Sequence, residues 1–175
     1  MPAPTALPRI AVLGLGNLMR TDDAVGMVVL QLIQADRRVP QSVSLIEGGT
    51  TGLDLLYPLD GITHLLAIDA IDAGAAPGTL LRFEGEEIAG LPISKSVHLL
   101  GFSDLIGAMR LSGSAPERIV VLGVQPERIE WGTQLTATVD SAVGPLVESA
   151  ILQVRQWSGE IEPPQSDMVV SSISA

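Results

Sequence analysis

Short apolar runs alternate along this chain with stretches of helical length, and that alternation restricts its fold more than any other feature. The runs are RIAVLGLG (9–16), SVSLIEGG (42–49), THLLAIDAI (63–71), GTLLRFEG (78–85) and RIVVLGVQP (118–126). AVGMVVLQLIQAD (24–36) has helical length and follows the first run. Further helices are predicted over 52–58, near 101–111 and over 138–157. Strands that alternate with helices build a three-layer α/β/α sandwich around a mainly parallel sheet. Run 78–85, one of the shorter strands and preceded by the turn signal APG, is the candidate for an antiparallel place at an edge. Residues 1–157 read as a single α/β domain, and 158–175 have the composition of a frayed C-terminal tail.

Composition agrees with a buried sheet and removes several classes of function. Hydrophobic residues make up 46% of the 175 and charged residues 17%, a globular balance. Aromatics are few, so the core must be built from Leu, Ile, Val and Ala, as suits a sheet covered on both faces. Twenty acidic residues against ten basic ones give a formal charge of −10. A nucleic-acid binder needs basic patches to neutralise phosphates, and an anionic membrane surface repels such a chain. Without cysteine there is no disulfide, thiolate metal site or Cys nucleophile. The N-terminal stretch lacks the charge and apolar order of a signal peptide, and no run reaches the ~18 apolar residues of a membrane helix. A cytoplasmic protein is the expectation.

Chemistry concentrates after the strands. In LGLGNLMRTDDAVG (13–26) a glycine-rich turn runs into Asp22 and Asp23. It is a poor phosphate loop. Position 19 is Met where the dinucleotide fingerprint requires its third glycine, no Walker lysine is present, and the acids would repel a pyrophosphate. An aspartate at a helix N-terminus caps backbone N–H groups and complements the dipole. One suffices for that, which leaves the other to point into the crevice at the carboxyl ends of the strands, where ligands of open α/β sheets collect. Asp69, at the end of the third run, emerges near the same edge, as a metal-binding or loop-stapling carboxylate; Asp72 reads as a solvated or capping residue. Of the two histidines, His64 opens the third strand as a surface residue, and His98 precedes a helix after a loop of Ser and Pro. Asp22 or Asp23, Asp69 and His98 would together suit Zn²⁺, Ni²⁺ or Fe²⁺, with positions left for water or substrate. Spacing alone does not establish that they converge.

GLGNLMRTDDAVG, EGGTTGLDLL, AIDAIDAGAAPGT, HLLGFSDLI and LGVQPERIEWGTQLT stand in the order found in the hydrogenase maturation endopeptidases, and over roughly 9–155 the chain resembles that family. The resemblance implies an α/β/α fold around a five-stranded twisted sheet. It also implies that Asp23, Asp69 and His98 are the metal ligands and catalytic residues, with Asp22 left to cap. The implied activity is removal of a short C-terminal peptide from the nickel-loaded precursor of a [NiFe] hydrogenase large subunit. The nickel would be carried by that precursor, the protein's one expected partner, which a monomer would meet transiently. Two departures stand out: Glu47 in EGGT where the family usually has Asp, and Leu99 after His98 where it often has Gln. Two other classes share an acidic cleft, a chaperone that holds the immature subunit and a small peptidase acting on free peptides. No G-x-S-x-G elbow supports a serine hydrolase.

Overall fold

The structure is a computed structural model that describes residues 7–50, 52–89 and 97–161, with the side chains of 86, 89 and 97–100 outside that description. Its elements in chain order are β1 (Ile10–Leu15), a 3-10 turn (Thr21–Ala24), α1 (Val25–Ala35), β2 (Ser44–Gly49), a second 3-10 turn (Leu53–Leu56) and β3 (His64–Ala70). They continue with β4 (Leu80–Glu84), α2 (Glu86–Ala89), α3 (Val97–Ser112), β5 (Arg118–Val124) and α4 (Ala137–Trp157). The sheet order is β2-β1-β3-β5-β4. Every neighbouring pair is parallel except β4 with β5, so the antiparallel edge expected at 78–85 is present. No helix among the described residues is long and apolar enough to cross a membrane.

Both faces of the central strands are covered, which is why their sequences read as unbroken apolar runs. Ile10 and Val12 of β1, Leu66 and Ile68 of β3, and Val120 and Leu122 of β5 point to one face, packed by α1 and α4. Ala11, Leu13, Leu65, Ala67 and Val121 alternate to the other, packed by α3 through Phe102, Leu105 and Met109 and by Leu55 and Leu59. The helices pack there because their apolar residues recur at helical spacing. In α1 these are Gly26, Val29, Leu30 and Ile33; in α4 they are Val139, Val143, Leu146, Ala150 and Val154. Each fully buried Leu in these layers contributes roughly 2 kcal/mol by leaving water.

This topology fixes where a ligand can sit. From β1 the chain crosses one face of the sheet through α1 to β2, then returns past β1 to β3 on the other side. The reversal opens a crevice at the carboxyl ends of β1 and β3, the switch point at which doubly wound sheets bind ligands. The helix expected near 101–111 begins earlier, at Val97, and residues 90–96 of the preceding loop lie outside the described residues. The expected tail does so from residue 162 onward.

Candidate active site at the strand ends

The glycines of the first turn allow main chains to touch. Gly16 has φ +121°, and a Cβ there would lie 1.8 Å from the Asp23 carbonyl oxygen. A Cβ on Gly26 would lie 2.2 Å from the Ile68 oxygen and 2.3 Å from the Leu15 oxygen. Gly16 N donates to Gly49 O at 2.8 Å, tying the end of β1 to the end of β2. The sequence therefore spends its glycines on close approach, and no phosphate cradle results. The start of α1 is pressed onto the ends of β1 and β3.

That contact organises two acids. Gly26 meets β3 at Ile68, one residue before Asp69, and the 3-10 turn that carries Asp23 also rests on β3. Asp69 is completely buried and Asp23 is 6% exposed. Asp23 Oδ2 accepts the Asn17 N–H at 3.0 Å, and Asp69 Oδ1 accepts the Ala70 N–H at 2.8 Å. These bonds fix each carboxylate from its own loop. Asp69 belongs to the odd-numbered side of β3 with Leu65 and Ala67, the face that α3 covers.

His98 is the second residue of α3, and its side chain lies outside the described residues. Gly101 packs against Gly52, in the loop after β2, so closely that a Cβ on Gly52 would lie 3.4 Å from the Gly101 Cα. The structure thus sets the turn that carries Asp23 against β3, which carries Asp69, and the early part of α3 against the loop after β2. Glu47 is exposed on β2, paired with Gly14.

The capping role expected of Asp22 is not what the structure shows. The N-cap positions of the 3-10 turn and of α1 are Arg20 and Ala24, and neither side chain caps its helix. Asp22 is wholly buried and reaches across to the loop after β5. Its Oδ2 accepts from the N–H groups of Glu127 and Arg128, both at 2.9 Å, and from Thr136 Oγ1 at 3.0 Å; its Oδ1 accepts from Thr136 N at 2.7 Å. Thr136 is itself the N-cap of α4. A carboxylate with several donors is a satisfied buried charge. The neighbouring acids therefore divide: Asp22 is bonded to the loop after β5, and Asp23 to its own turn through the Asn17 N–H.

The same loop is held at other points that the sequence did not assign. Thr21, at φ +35°, is a β-branched residue in a region it rarely enters. It is kept there by bonds from its N to Gly132 O (2.9 Å), from its Oγ1 to Arg128 O (2.8 Å), and from Glu130 N to its Oγ1 (3.0 Å). Buried Gln125 accepts from Ala73 N and Ala75 N through Oε1 and donates through Nε2 to Asp72 Oδ1 at 2.9 Å. Asp72 is thus a loop staple rather than a helix cap. Only the position of Gln125, at the strand's end and just before Pro126, hinted at this work.

Two grooves lie elsewhere on the molecule. The larger, about 590 Å³, lies between β4, the start of β5 and the end of α4, at the amino end of β5. Its Arg82 is already bonded to Glu84 and Gln153. His64, expected at the surface, is half-buried at this opposite end, with Nδ1 2.9 Å from Thr63 Oγ1 and its ring edge-on to Trp157 at 5.1 Å. Burial lowers its pKa, Arg118 adds to the shift, and Glu117 opposes it.

Fold and site together define a doubly wound α/β protein with buried aspartates after β1 and at the end of β3, beside the sheet's switch point. Comparison with known proteins narrows this. Residues 27–153 match the family model described as hydrogenase maturation protease. The hydrogenase 2 maturation protease of Escherichia coli is 34% identical over 160 residues, spanning 90% of this chain and 98% of that one. The hydrogenase expression/formation protein HupD of Rhizobium leguminosarum is 34% identical over 88% of this chain and 78% of its own length. Among solved structures, the E. coli hydrogenase maturating endopeptidase HybD superposes with a TM-score of 0.79 at 35% identity, covering 85% of this chain and 93% of that one. The chain belongs to the hydrogenase maturation protease family. It is a hydrolase, an endopeptidase with the α/β fold of the HybD-type proteases.

Proposed function

We propose that this endopeptidase removes a short C-terminal peptide from the precursor of a [NiFe] hydrogenase large subunit after nickel has been inserted. Asp23, Asp69 and His98 engage the nickel that the substrate carries. The observation that supports this reading is the pair of buried carboxylates, Asp23 on the turn packed against β3 and Asp69 on β3 itself. Two carboxylates and an imidazole are a sparse set for a resident metal and an apt one for an ion that arrives with ligands of its own. Oxygen and nitrogen donors suit Ni²⁺, and the substrate completes the coordination.

Nickel held between enzyme and precursor is Lewis-acidic. It can polarise the scissile carbonyl or lower the pKa of a bound water. In the second chemistry that this site supports, nickel serves recognition and one aspartate takes a proton from water as general base. In both, the hydrogen bonds from Asn17 N and Ala70 N hold the carboxylates in place before substrate arrives. The enzyme acts in the cytoplasm as a monomer that meets its precursor transiently.

Mass spectrometry of the precursor tests this. Nickel-loaded precursor is expected to lose its C-terminal peptide when incubated with the parent enzyme, and nickel-free precursor to stay intact. Equal cleavage of both would remove nickel recognition. Stable binding with no change of mass would mark a chaperone instead.

A further inference from the structure

We propose that Leu18, Met19, Arg20, Ile129 and Trp131 form the seat for an apolar, carboxylate-bearing segment of the precursor beside its cleavage site. The inference rests on the function proposed above and adds where the substrate is gripped. Leu18 is 43% exposed, Met19 54%, Ile129 38% and Trp131 80%. They come from two loops held together by main-chain bonds: Gly132 N donates to Met19 O at 3.0 Å, and Thr21 N donates to Gly132 O at 2.9 Å. The surface is continuous with the site, because Arg20 stands three residues before Asp23 and Asp23 N donates to Arg20 O at 2.9 Å.

Trp131 is a rigid anchor. The loop that carries it is fixed by Asp22, Thr21 and Gly132, so its display to solvent is built in before any partner arrives. An aromatic side chain on a preorganised loop loses little entropy on binding, and such residues dominate interface energetics.

Arg20 gives the surface its charge selectivity. It is half-buried, its Nε is buried without a hydrogen-bond partner, and its side chain makes no ion pair among the described residues. Arg38, Arg82, Arg128 and Arg155 are each paired with an acid, whereas Arg9, Arg37, Arg110 and Arg118 pair with none among the described residues; what sets Arg20 apart is its buried, unpartnered Nε. In a chain with twice as many acids as bases, a half-buried guanidinium that makes no ion pair among the described residues is a cation that an incoming carboxylate can pair with through its terminal nitrogens. The planar fork of Arg matches a carboxylate through two parallel bonds, which Lys cannot reproduce.

Cleavage kinetics on the nickel-loaded precursor test the seat. Arg20→Gln and Trp131→Ala are each expected to raise KM about tenfold or more with kcat within about twofold. Trp131→Phe should restore most of the loss, and Arg20→Lys little of it. KM unchanged in both variants, or a loss confined to kcat, would overturn the proposal. A second readout needs neither substitution nor turnover. The chain has two tryptophans, so protein labelled with 5-fluorotryptophan shows two ¹⁹F resonances. On titration with precursor the Trp131 signal should move while that of Trp157, at the opposite end of the sheet, stays. An unmoved Trp131 signal overturns the seat even if the precursor is cut. A moved signal with no cleavage would overturn the proteolytic reading of function and leave the seat standing.

Discussion

Asp22 and Thr136, 114 residues apart, meet through two hydrogen bonds at 2.7 and 3.0 Å, and Thr136 in turn caps α4. One buried carboxylate thereby sets both the loop after β5 and the start of the last helix. Asp22→Ala leaves the N–H groups of Glu127, Arg128 and Thr136 without their acceptor. The Glu127 and Arg128 groups can turn to water, but the Thr136 N–H and hydroxyl are buried. An unmade buried bond costs about 1–3 kcal/mol, so the variant should lose roughly 2–4 kcal/mol of stability in urea or thermal unfolding.

Asp23→Asn is expected to behave differently. An amide oxygen can still accept the Asn17 N–H, so stability should change by less than ~1 kcal/mol. Processing of nickel-loaded precursor should fall by roughly 100-fold or more, because the neutral side chain neither binds a cation strongly nor takes up a proton. Normal stability with lost cleavage in the mass assay separates Asp23 from its neighbour.

Two glycine-to-alanine changes should have opposite signs. In a partly exposed helix interior Ala is favoured over Gly by roughly 0.5–1 kcal/mol, and a Cβ on half-buried Gly107 of α3 meets nothing within 4 Å, so Gly107→Ala should stabilise by about that amount. Gly26 is helical as well, but its Cβ would collide with two backbone oxygens. Gly26→Ala should destabilise by about 3 kcal/mol and reduce cleavage, since relieving the clash moves the Asp23 turn away from β3. Melting temperatures of the two variants provide the comparison.

His64 supplies a pH dependence remote from catalysis. Its folded pKa lies below the ordinary 6.5, chiefly through burial. The unfolded chain therefore binds the proton more readily than the folded one. Stability from this group is fully present above about pH 6.5 and is lost as pH falls through the folded value. Unfolding measured from pH 8 to pH 5 should show a decline that is shallower in His64→Gln.

The central strands β1, β3 and β5 were legible in the sequence because they are buried on both faces and read as apolar runs between turn residues; β2 and β4, more exposed, were marked by their flanking turn residues. Val25–Ala35 and Ala137–Trp157 were legible because their apolar residues recur at helical spacing. The tasks of the polar residues were not. Asp22 and Asp23 look alike in sequence, and what separates them is a loop more than a hundred residues away. Local reasoning favoured a helix cap because it sees only neighbours in the chain, and the donors that claim Asp22 come from 127, 128 and 136. Gln125 and Thr21 were missed for the same reason. His98 stood out as one of only two histidines, yet no property of HLLG predicted that its helix would start against Gly52.

The loop from Glu127 to Thr136 is gripped largely by its main chain: Asp22 takes backbone N–H groups, and Thr21 bonds the backbone of Arg128, Glu130 and Gly132. A scaffold that holds a segment by its peptide groups is indifferent to the letters written between the anchors. Ile129, Glu130 and Trp131 can therefore drift, or be redesigned, at little cost to folding. A protein built this way is readily re-aimed at a new client, since its recognition vocabulary is uncoupled from the residues that keep it standing.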